Sequence, residues 1–396
     1  NKTKTMYTAK FLPEIELRKT KLQNAMKNAE ADAMLISSNT NLFYTSGRIF
    51  CGYTYIPVEG EILFFVRRPV DLKGDNVIYI RKPEDIPAIM HERGINMPQK
   101  LLLEDDVLTY NERIRLATIF TNATFDNSSQ IIRNGRAIKT PYEIELIRES
   151  AAKHASMYHR IPAEYKDGMS DTEFSIELER LARLHGSLGI VRIFGSSMEI
   201  YMGSLLSGDN ADTPSPYDFA LGGAGLNSSL PIGCNGAMIR PGTTVMVDIG
   251  GNFTGYMSDL SRVFSLGEIP ELAQNAHQVA LQIQDAIIEK GKPGVPVAEL
   301  YELALNTAKQ AGLEEYFMGH RQHAGFIGHG VGIELNEKPV LAPRSKEILE
   351  ENMVFALEPK FVIPHVGAVG IENTLLVTKT GIEKITHCPE EIIPLD

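Results

Sequence analysis

The sequence predicts a two-domain protein of the α/β (α+β) class. Its 396 residues are sufficient for two domains of about 100–200 residues each. Short apolar strand patterns alternate with helical patterns through the first third, which indicates a partly parallel sheet covered by helices. The rest of the chain contains a helix, helix, strands pattern that occurs twice. We therefore expect an N-terminal α/β domain over residues 1–135 and a C-terminal domain over residues 136–396.

Each element of the first domain follows from a local pattern. Apolar residues at helical spacing predict a helix over about Glu14–Ala29, and the apolar run Ala33–Ile36 predicts a buried strand directly after it. The same reasoning gives three more strands and two more helices. These are strands at Ile62–Val66, Val77–Ile80 and Leu101–Leu103, and helices at Asp85–Arg93 and Tyr110–Phe120.

Two helices with strong start signals open the second domain. The runs Thr140-Pro141-Tyr142-Glu143 and Ser170-Asp171-Thr172-Glu173 are both capping boxes, in which the hydroxyl and the carboxylate satisfy backbone amides of the first turn. Proline at the first helical position strengthens the first of them. The two helices are expected to end near residues 165 and 185.

The rest of the second domain reads as a repeat of one helix-helix-strand unit. Each copy ends in two apolar strands that carry one acid each and are joined by a turn rich in glycine or proline. The first copy has strands at Ile190–Phe194, Ile200–Leu206, Thr244–Asp248 and Gly255–Phe264. The second has helices at Glu271–Lys290 and Val297–Ala311, and strands at Met353–Phe361 and Gly370–Val377.

The chemistry of the chain is indicated by four acids inside these strand patterns. Buried carboxylates must be neutralised by protons, basic partners or metal ions. No Lys or Arg lies between positions 245 and 259, and Lys360 is expected to share a strand face with Glu358. One lysine does not balance four acids, whereas two divalent ions do. The four acids are Asp248, Asp259, Glu358 and Glu372.

A fifth ligand is offered by the run Gly328-His329-Gly330-Val331-Gly332. A single histidine is more often a structural residue, but beside four acids His329 becomes a candidate ligand, and the glycines allow close approach of the backbone. Donor sets rich in carboxylates favour harder ions such as Mn²⁺, while Co²⁺, Fe²⁺ or Zn²⁺ also fit. Two such ions can share a bridging water and polarise a carbonyl, so amide hydrolysis is the predicted use.

The motifs around these five residues resemble the pita-bread metallopeptidases, the M24-type family of creatinase, prolidase and aminopeptidase P. The resemblance covers about Arg136–Asp396 and is carried by Val-Asp-Ile-Gly, Ser-Asp-Leu-Ser-Arg, Gly-His-Gly-Val-Gly, Leu-Glu-Pro and Ile-Glu-Asn-Thr. The first third resembles the creatinase and prolidase N-terminal domain, which methionine aminopeptidases lack. The resemblance implies a creatinase-like domain, a pita-bread domain with a pseudo-twofold repeat, a binuclear site that usually holds Mn²⁺ or Co²⁺, and a homodimer.

The resemblance also assigns roles to the five residues. It implies an Xaa-Pro dipeptidase or aminopeptidase that cleaves short peptides with a metal-bridging hydroxide. Glu358 is then both a metal ligand and the proton acceptor and shuttle. The complete set of implied metal ligands is Asp248, Asp259, His329, Glu358 and Glu372.

The sequence departs from this family at the substrate side of the predicted site. Ile232 stands where the family usually has a histidine after Leu-Pro, and Asn336 stands where it has a second histidine. Gly370 replaces an arginine often found two residues before the last Glu ligand. His323, with His320 beside it, lies in a segment that looks longer than usual and is a candidate substitute donor; the alternative is a pair of exposed loop histidines.

Composition excludes several other classes of protein. The formal net charge is −11 and no dense Lys/Arg block is present, so a nucleic-acid partner is not expected. No apolar run reaches the roughly 18 residues of a membrane span, and the N-terminal residues do not read as a signal peptide. Three widely spaced cysteines fit a reducing compartment better than a disulfide framework, so we expect a cytoplasmic protein.

Two alternatives to a peptidase remain open on the sequence. The first is a non-peptidase enzyme on the same fold, a hydrolase or lyase that cleaves C–N or C–S bonds in a small molecule, because a fold alone does not fix a reaction. The second is a non-catalytic binding module, against which the four acids argue. Metal content separates the second alternative from the enzymes, and a substrate screen separates the two enzymes.

Overall fold

The structure is a computed structural model that describes residues 4–8 and 10–396. The chain divides into two compact units, Asn1–Arg136 and Ala137–Asp396. Helices and strands are interspersed in both units, as the predicted α/β class requires. Among the described residues, no helix combines the length and the apolar character needed to cross a membrane.

The first unit is built on a six-stranded mixed sheet. Its helices are α1 Leu12–Asn28, α2 Asn39–Ser46, α3 Ile86–Glu92, α4 Tyr110–Ile119 and α5 Ser129–Ala137. Its strands are β1 Lys4–Thr5, β2 Ala33–Ile36, β3 Cys51–Pro57, β4 Leu63–Arg68, β5 Leu72–Lys73, β6 Val77–Tyr79, β7 Lys100–Leu103 and β8 Thr124–Asn127. The sheet order is β6-β4-β3-β2-β7-β8; β2–β7, β7–β8 and β4–β6 are parallel, which confirms the predicted partly parallel sheet.

The second unit contains a four-stranded sheet, a five-stranded sheet and two short hairpins. Its helices are α6 Pro141–His159, α7 Ile161–Glu164, α8 Asp171–Leu184, α9 Glu271–Lys290 and α10 Val297–Gln310. Its first strands are β9 Gly203–Ser207, β10 Thr243–Ile249, β11 Gly251–Asn252, β12 Met257–Ser258 and β13 Ser261–Leu266. The later strands are β14 Gly328–Gly330, β15 Glu337–Leu341, β16 Val354–Leu357, β17 Lys360–Ile363, β18 Gly367–Gly370, β19 Asn373–Val377, β20 Ile382–Lys384 and β21 Ile393–Pro394.

The helices α6 and α8 begin where the sequence predicts. Thr140 and Ser170 accept hydrogen bonds from the backbone amides of Glu143 and Glu173, and both capping boxes are complete. Each pair of helices accompanies one antiparallel hairpin, β10–β13 after α6 and α8, and β16–β19 after α9 and α10. This agrees with the predicted helix-helix-strand repeat.

The strands that carry the acids are interrupted, and here the sequence-based bounds are wrong. The predicted strand Met353–Phe361 is divided between β16 and β17 at Glu358-Pro359, because proline has no N–H to continue a ladder. The predicted strand Gly370–Val377 is interrupted between β18 and β19, and Gly255–Phe264 is divided between β12 and β13. Three of the four acids therefore lie at breaks between strands, where their backbones leave the ladder.

The predicted strand at Ile190–Phe194 is also wrong, since within the described part of the chain these residues form no strand. The reason lies in the backbone partners of the segment. Phe194 donates its N–H to the Oδ1 atom of Asn336 at 2.7 Å and accepts from the Nδ2 atom of the same side chain at 2.8 Å. At Phe194, a side chain thus takes the place that a neighbouring strand would occupy.

The core of the second unit packs the five-stranded sheet and the β17–β18 hairpin against α9 and α10. Its members are fully buried aliphatic and aromatic side chains, among them Phe355, Phe361, Ala280, Ile283 and Leu300. A second cluster, which includes Val245, Val247 and Leu260, packs the four-stranded sheet against α6 and α8. Because both clusters reach the strands that carry the acids, the acids have rigid supports.

Candidate metal centre

The second unit brings the five predicted metal ligands together. Asp248 lies near the end of β10, and His329 is the middle residue of β14. Asp259, Glu358 and Glu372 lie at the strand breaks. Two groups of side chains have ligand atoms that all lie within 4.8 Å of one another. They are Asp259, His329 and Glu372, and Asp248, Glu358 and Glu372, so that Glu372 is shared.

The imidazole of His329 is oriented toward the acids. Its Nε2 atom lies 3.2 Å from Glu358 Oε2, 3.4 Å from Asp259 Oδ2 and 3.9 Å from Glu372 Oε1. Its Nδ1 atom lies 3.2 Å from the carbonyl oxygen of Gly330, to which it can only donate. When the imidazole is neutral, this contact keeps the proton on Nδ1 and leaves the Nε2 lone pair free for a metal ion.

The glycines on either side of His329 are required by the packing of β14. This strand lies between β15 and β16 in the five-stranded sheet. A Cβ atom at Gly328 would overlap the carbonyl oxygen of Ala356, and one at Gly330 would overlap the carbonyl oxygen of Lys338. The close approach predicted from the glycine spacing is thus confirmed, and it places the imidazole deep in the site.

Hydrogen bonds between the two hairpins hold the carboxylates in place. The hydroxyl of Thr374 accepts from the amide of Asp259 and donates to the carbonyl of Asp259, both at 2.8 Å. Ser261 Oγ donates to Glu372 Oε2 at 2.6 Å, and the buried Arg262 donates from Nη1 to the carbonyl of Glu372 at 2.8 Å. Such contacts fix ligand orientation before an ion binds.

Helix α6 supplies two supporting side chains that the sequence reasoning missed. Tyr158 donates to the carbonyl of Leu260 at 2.6 Å and accepts from the amide of Ile249 at 3.0 Å, so it joins the backbone next to both aspartates. His154 is fully buried, and its Nδ1 atom lies 2.8 Å from Ser258 Oγ. The signal that would have found them is their spacing of four residues on a predicted helix, which places them on one face.

A buried lysine lies among the acids. Lys360 Nζ is 2.8 Å from Asp248 Oδ2, 2.8 Å from Glu358 Oε1 and 3.9 Å from Glu372 Oε2. The expectation that Lys360 and Glu358 share a side is confirmed. Burial lowers the pKa of Lys360, but the neighbouring carboxylates raise it by more, and the net direction is upward. The side chain is therefore an ammonium.

Glu358 is also ionised. Its burial acts to raise the pKa, but Lys360 and then His329 lower it to about 2. Burial lowers the pKa of His329, and the hydrogen bond and charge of Glu358 raise it, to about 9 in the absence of an ion. The two positive charges in the site, on Lys360 and His329, therefore stabilise mainly the ionised form of Glu358.

Asp259 and Glu372 are left without sufficient positive charge. Burial and the charge of Asp248 raise the pKa of Asp259 to about 8, and burial with the charges of Asp248 and Asp259 raises that of Glu372 well above its usual range. Both carboxylates are buried and both face His329 Nε2. Carboxylates and an imidazole arranged in this way fit a divalent cation, which would supply the missing charge.

The three predicted substrate residues lie outside this cluster of hydrogen bonds. Ile232 is half-buried in the loop before β10, Asn336 contacts the Phe194 backbone as described, and His323 donates from Nδ1 to the carbonyl of Phe317 at 2.7 Å. His323 lines a surface cavity of about 670 Å³. A substrate-binding role for these residues stays a prediction.

The fold and this centre define the class: a metal-dependent peptidase with a separate N-terminal α/β domain. The model of metallopeptidase family M24 matches residues 145–379, and that of the creatinase/prolidase N-terminal domain matches residues 18–138. The chain belongs to metallopeptidase family M24. These matches confirm the predicted family, the creatinase-like and pita-bread architecture and the dependence on divalent metal, and they do not favour the non-peptidase alternative.

Similar proteins span nearly the whole chain. An uncharacterized peptidase of Bacillus subtilis, YqhT, is 29% identical over 389 residues, which cover 95% of this chain and 99% of that protein. An Xaa-Pro dipeptidase of Pyrococcus horikoshii is 27% identical over 377 residues, with 94% and 97% covered. The solved structure of an Xaa-Pro dipeptidase from Bacillus anthracis has a TM-score of 0.77 at 26% identity and covers 96% of this chain and 99% of its own.

Proposed function

We propose that the protein hydrolyses short peptides at an Xaa-Pro bond. The observation that carries the proposal is the convergence of His329 with four buried or half-buried acids in two groups that share Glu372. The similarity along the full chain to proteins named Xaa-Pro dipeptidases supports the substrate class. The creatinase/prolidase N-terminal domain supports the same branch of the family.

The residues of the chain divide into metal-holding and proton-handling roles. Asp259, His329 and Glu372 would hold a divalent ion, with Asp248 and Glu358 at its side. A bound ion acts as a Lewis acid on the scissile carbonyl and lowers the pKa of water to near neutrality. We propose Mn²⁺ or Co²⁺, because carboxylate oxygens dominate the donor set; Zn²⁺ and Fe²⁺ are alternatives.

Glu358 is proposed as the proton acceptor and shuttle. A group that accepts a proton must be ionised when substrate is bound, and Glu358 is paired with Lys360 at 2.8 Å and with His329 at 3.2 Å. Its two oxygens have different partners, since Oε1 contacts Lys360 and Oε2 contacts His329. The carboxylate is thus oriented at both ends, which supports a role in a defined proton transfer.

The quaternary structure and the location of the protein also belong to the proposal. We propose a homodimer, as the family resemblance implies. The three cysteines, Cys51, Cys234 and Cys388, are all free and widely separated, which supports a reducing compartment such as the cytoplasm. Size-exclusion chromatography with light scattering tests the first point and fractionation of cells tests the second.

The function is tested with protein loaded with Mn²⁺ or Co²⁺ and offered a panel of Xaa-Pro dipeptides, Xaa-Pro tripeptides and small amidines. Release of proline from a dipeptide, or of the first residue from a tripeptide, is the expected result and separates dipeptidase from aminopeptidase action. A chelated sample is the control. Turnover of a small non-peptide substrate, together with intact peptides, would contradict the proposal and favour a lyase or hydrolase of another class.

A further inference from the structure

Lys360 occupies one of the two groups of candidate metal ligands. Asp248, Glu358 and Glu372 form the second group, and the same three side chains surround the lysine nitrogen. Two of their oxygens lie 2.8 Å from Nζ and the third lies 3.9 Å from it. A cation that belongs to the chain is therefore already paired with the carboxylates that would bind this second ion.

An ion and this ammonium would compete for the same carboxylates. Metal–oxygen bonds to carboxylates are about 2.0–2.2 Å long. An ion bonded to Asp248 and Glu358 would therefore lie close to Nζ, and two positive charges so near each other inside a protein repel strongly. One of the two cations must be absent from the group.

The lysine side chain is firmly held in its position. Its exposed fraction is 0%. The backbone of Lys360 accepts from the amide of Met318 at 2.8 Å and lies opposite Gly370 in the β17–β18 hairpin. Gly370 has a φ of +131°, and a Cβ atom there would overlap the carbonyl oxygen of Pro359. The hairpin around Lys360 is therefore tightly packed.

The other group offers an ion two carboxylates and an imidazole. Asp259 Oδ2 and Glu372 Oε1 face His329 Nε2, and Glu358 Oε2 lies 3.2 Å from the same nitrogen. One divalent ion here and the ammonium of Lys360 bring three positive charges to four carboxylates.

We propose that the ammonium of Lys360 replaces one metal ion, so that the centre binds a single divalent cation at Asp259, His329 and Glu372. The inference rests on the proposed metal centre and deepens it. It departs from the pair of ions expected from the family resemblance. Asp248 and Glu358 then form ion pairs with the lysine. The second oxygen of Glu358, Oε2, faces His329 in the ion site.

The number of bound ions tests this inference without an activity assay. Wild-type protein is dialysed against saturating Mn²⁺ and its metal content is measured by elemental analysis; about one ion per chain is expected, against two for a binuclear centre. Electron paramagnetic resonance of the same sample should show isolated Mn²⁺. Two ions in the wild-type protein, or the spectrum of an exchange-coupled pair, would overturn the inference.

Variants assign the effect to Lys360. In Lys360→Gly the second group is vacated and the count should rise to about two ions per chain. Lys346→Gly, at an exposed lysine of the same unit, is the matched control and should keep the wild-type count. Lys360→Met is a second variant that removes the charge but keeps the length. If both Lys360 variants fold and still bind one ion, Lys360 does not exclude the second ion and the inference is wrong.

Failure of the proposed function gives a different result. No bound ion in wild-type protein or in either Lys360 variant, under any loading, would contradict the metal centre itself and the inference with it. A single ion that is lost in His329→Ala supports the assigned position. A single ion that persists in His329→Ala but is lost in Asp248→Asn would place it in the Lys360 group and overturn the inference.

Discussion

The hydroxyl of Thr374 bridges the backbone amide and carbonyl of Asp259, with both hydrogen bonds at 2.8 Å. The two residues belong to the two different hairpins of the repeat. An isolated bridge between Ser261 and Glu372 joins the same hairpins a few residues further along. The position of the carboxylates thus depends on contacts between the two halves of the domain.

Substitution of Thr374 tests this dependence. Thr374→Val keeps the shape but leaves the buried amide and carbonyl of Asp259 unpaired, which costs about 1–3 kcal/mol in the free energy of unfolding. Metal affinity should fall by about 10–100-fold. Urea unfolding in chelator and titration calorimetry with Mn²⁺ measure the two effects. Thr374→Ser keeps the hydroxyl and is the control; a Val variant with wild-type affinity would show that the bridge does not position Asp259.

Removal of metal should lower the melting temperature. Acids that repel one another without an ion are neutralised when it binds, and binding to the native state adds about 2.7 kcal/mol at a hundredfold excess over Kd. In differential scanning calorimetry, chelation should lower the melting temperature and addition of Mn²⁺ should restore it. His329→Ala should respond weakly to both steps. An unchanged wild-type transition after confirmed metal loss would argue against a stabilising ion.

Substitution of Glu358 should remove most of the activity. Glu358→Gln cannot accept a proton, and loss of a general base typically lowers kcat by about 10²–10⁴-fold. Proline release and metal content should be measured on the same samples, so that a catalytic loss is distinguished from a loss of metal. Glu351→Gln, at an exposed acid nearby, is the control. Activity close to that of the wild-type protein in Glu358→Gln would remove this residue from the proton-shuttle role.

Turnover of ordinary Xaa-Pro dipeptides should be slow. Ile232 cannot donate a hydrogen bond, and the amide of Asn336 is engaged with the Phe194 backbone. Loss of one oxyanion donor costs about 10²–10³-fold in kcat, so kcat/KM is expected below about 10⁴ M⁻¹s⁻¹. The Ile232→His variant should have a higher kcat/KM than the wild-type protein. A higher wild-type value that is lost in His323→Ala would show that His323 supplies the donor instead.

The stability of the protein should fall in mild acid because of His154. Burial lowers the pKa of this imidazole from 6.5 to about 3, so the unfolded chain takes up the proton first. Above pH 6.5 the imidazole is neutral in both the folded and the unfolded chain. As the pH falls from 6.5 toward 3, the free energy of unfolding should decrease by about 1.4 kcal/mol per pH unit. Urea unfolding of wild-type protein and of His154→Phe between pH 4 and 7.5 measures this pH dependence. If the free energy of unfolding has the same pH dependence in both proteins, the prediction is wrong.

The candidate ligands can be predicted from the sequence because the need of a buried acid for a partner is visible in the residues next to it. An acid inside an apolar strand pattern needs a partner whatever the fold, and Asp248, Asp259, Glu358 and Glu372 are such acids. Capping boxes are equally local, so the starts of α6 and α8 were predicted correctly. Bounds failed where a strand is interrupted, as at Glu358-Pro359.

Contacts between residues far apart in the sequence could not be predicted from it. The sequence places Lys360 beside Glu358, but only the packing of the β17–β18 hairpin against β10 brings its ammonium to Asp248 as well. The apolar run Ile190–Phe194 has strand character, yet the backbone of Phe194 pairs with the side chain of Asn336, more than a hundred residues away. Helix α2 was missed because its polar residues carry little periodicity, although Ser38 caps it.

The contacts of Lys360 also bear on how the enzyme matures. If the domain folds before an ion binds, four carboxylates brought together without a counter-ion oppose its closing. Lys360 is synthesised with the polypeptide, so Asp248 and Glu358 have a counter-ion as soon as β17 docks. If Lys360 replaces one ion as proposed, the apoprotein is assembled with one side of its centre already neutralised, and maturation requires only the capture of a cation by Asp259, His329 and Glu372.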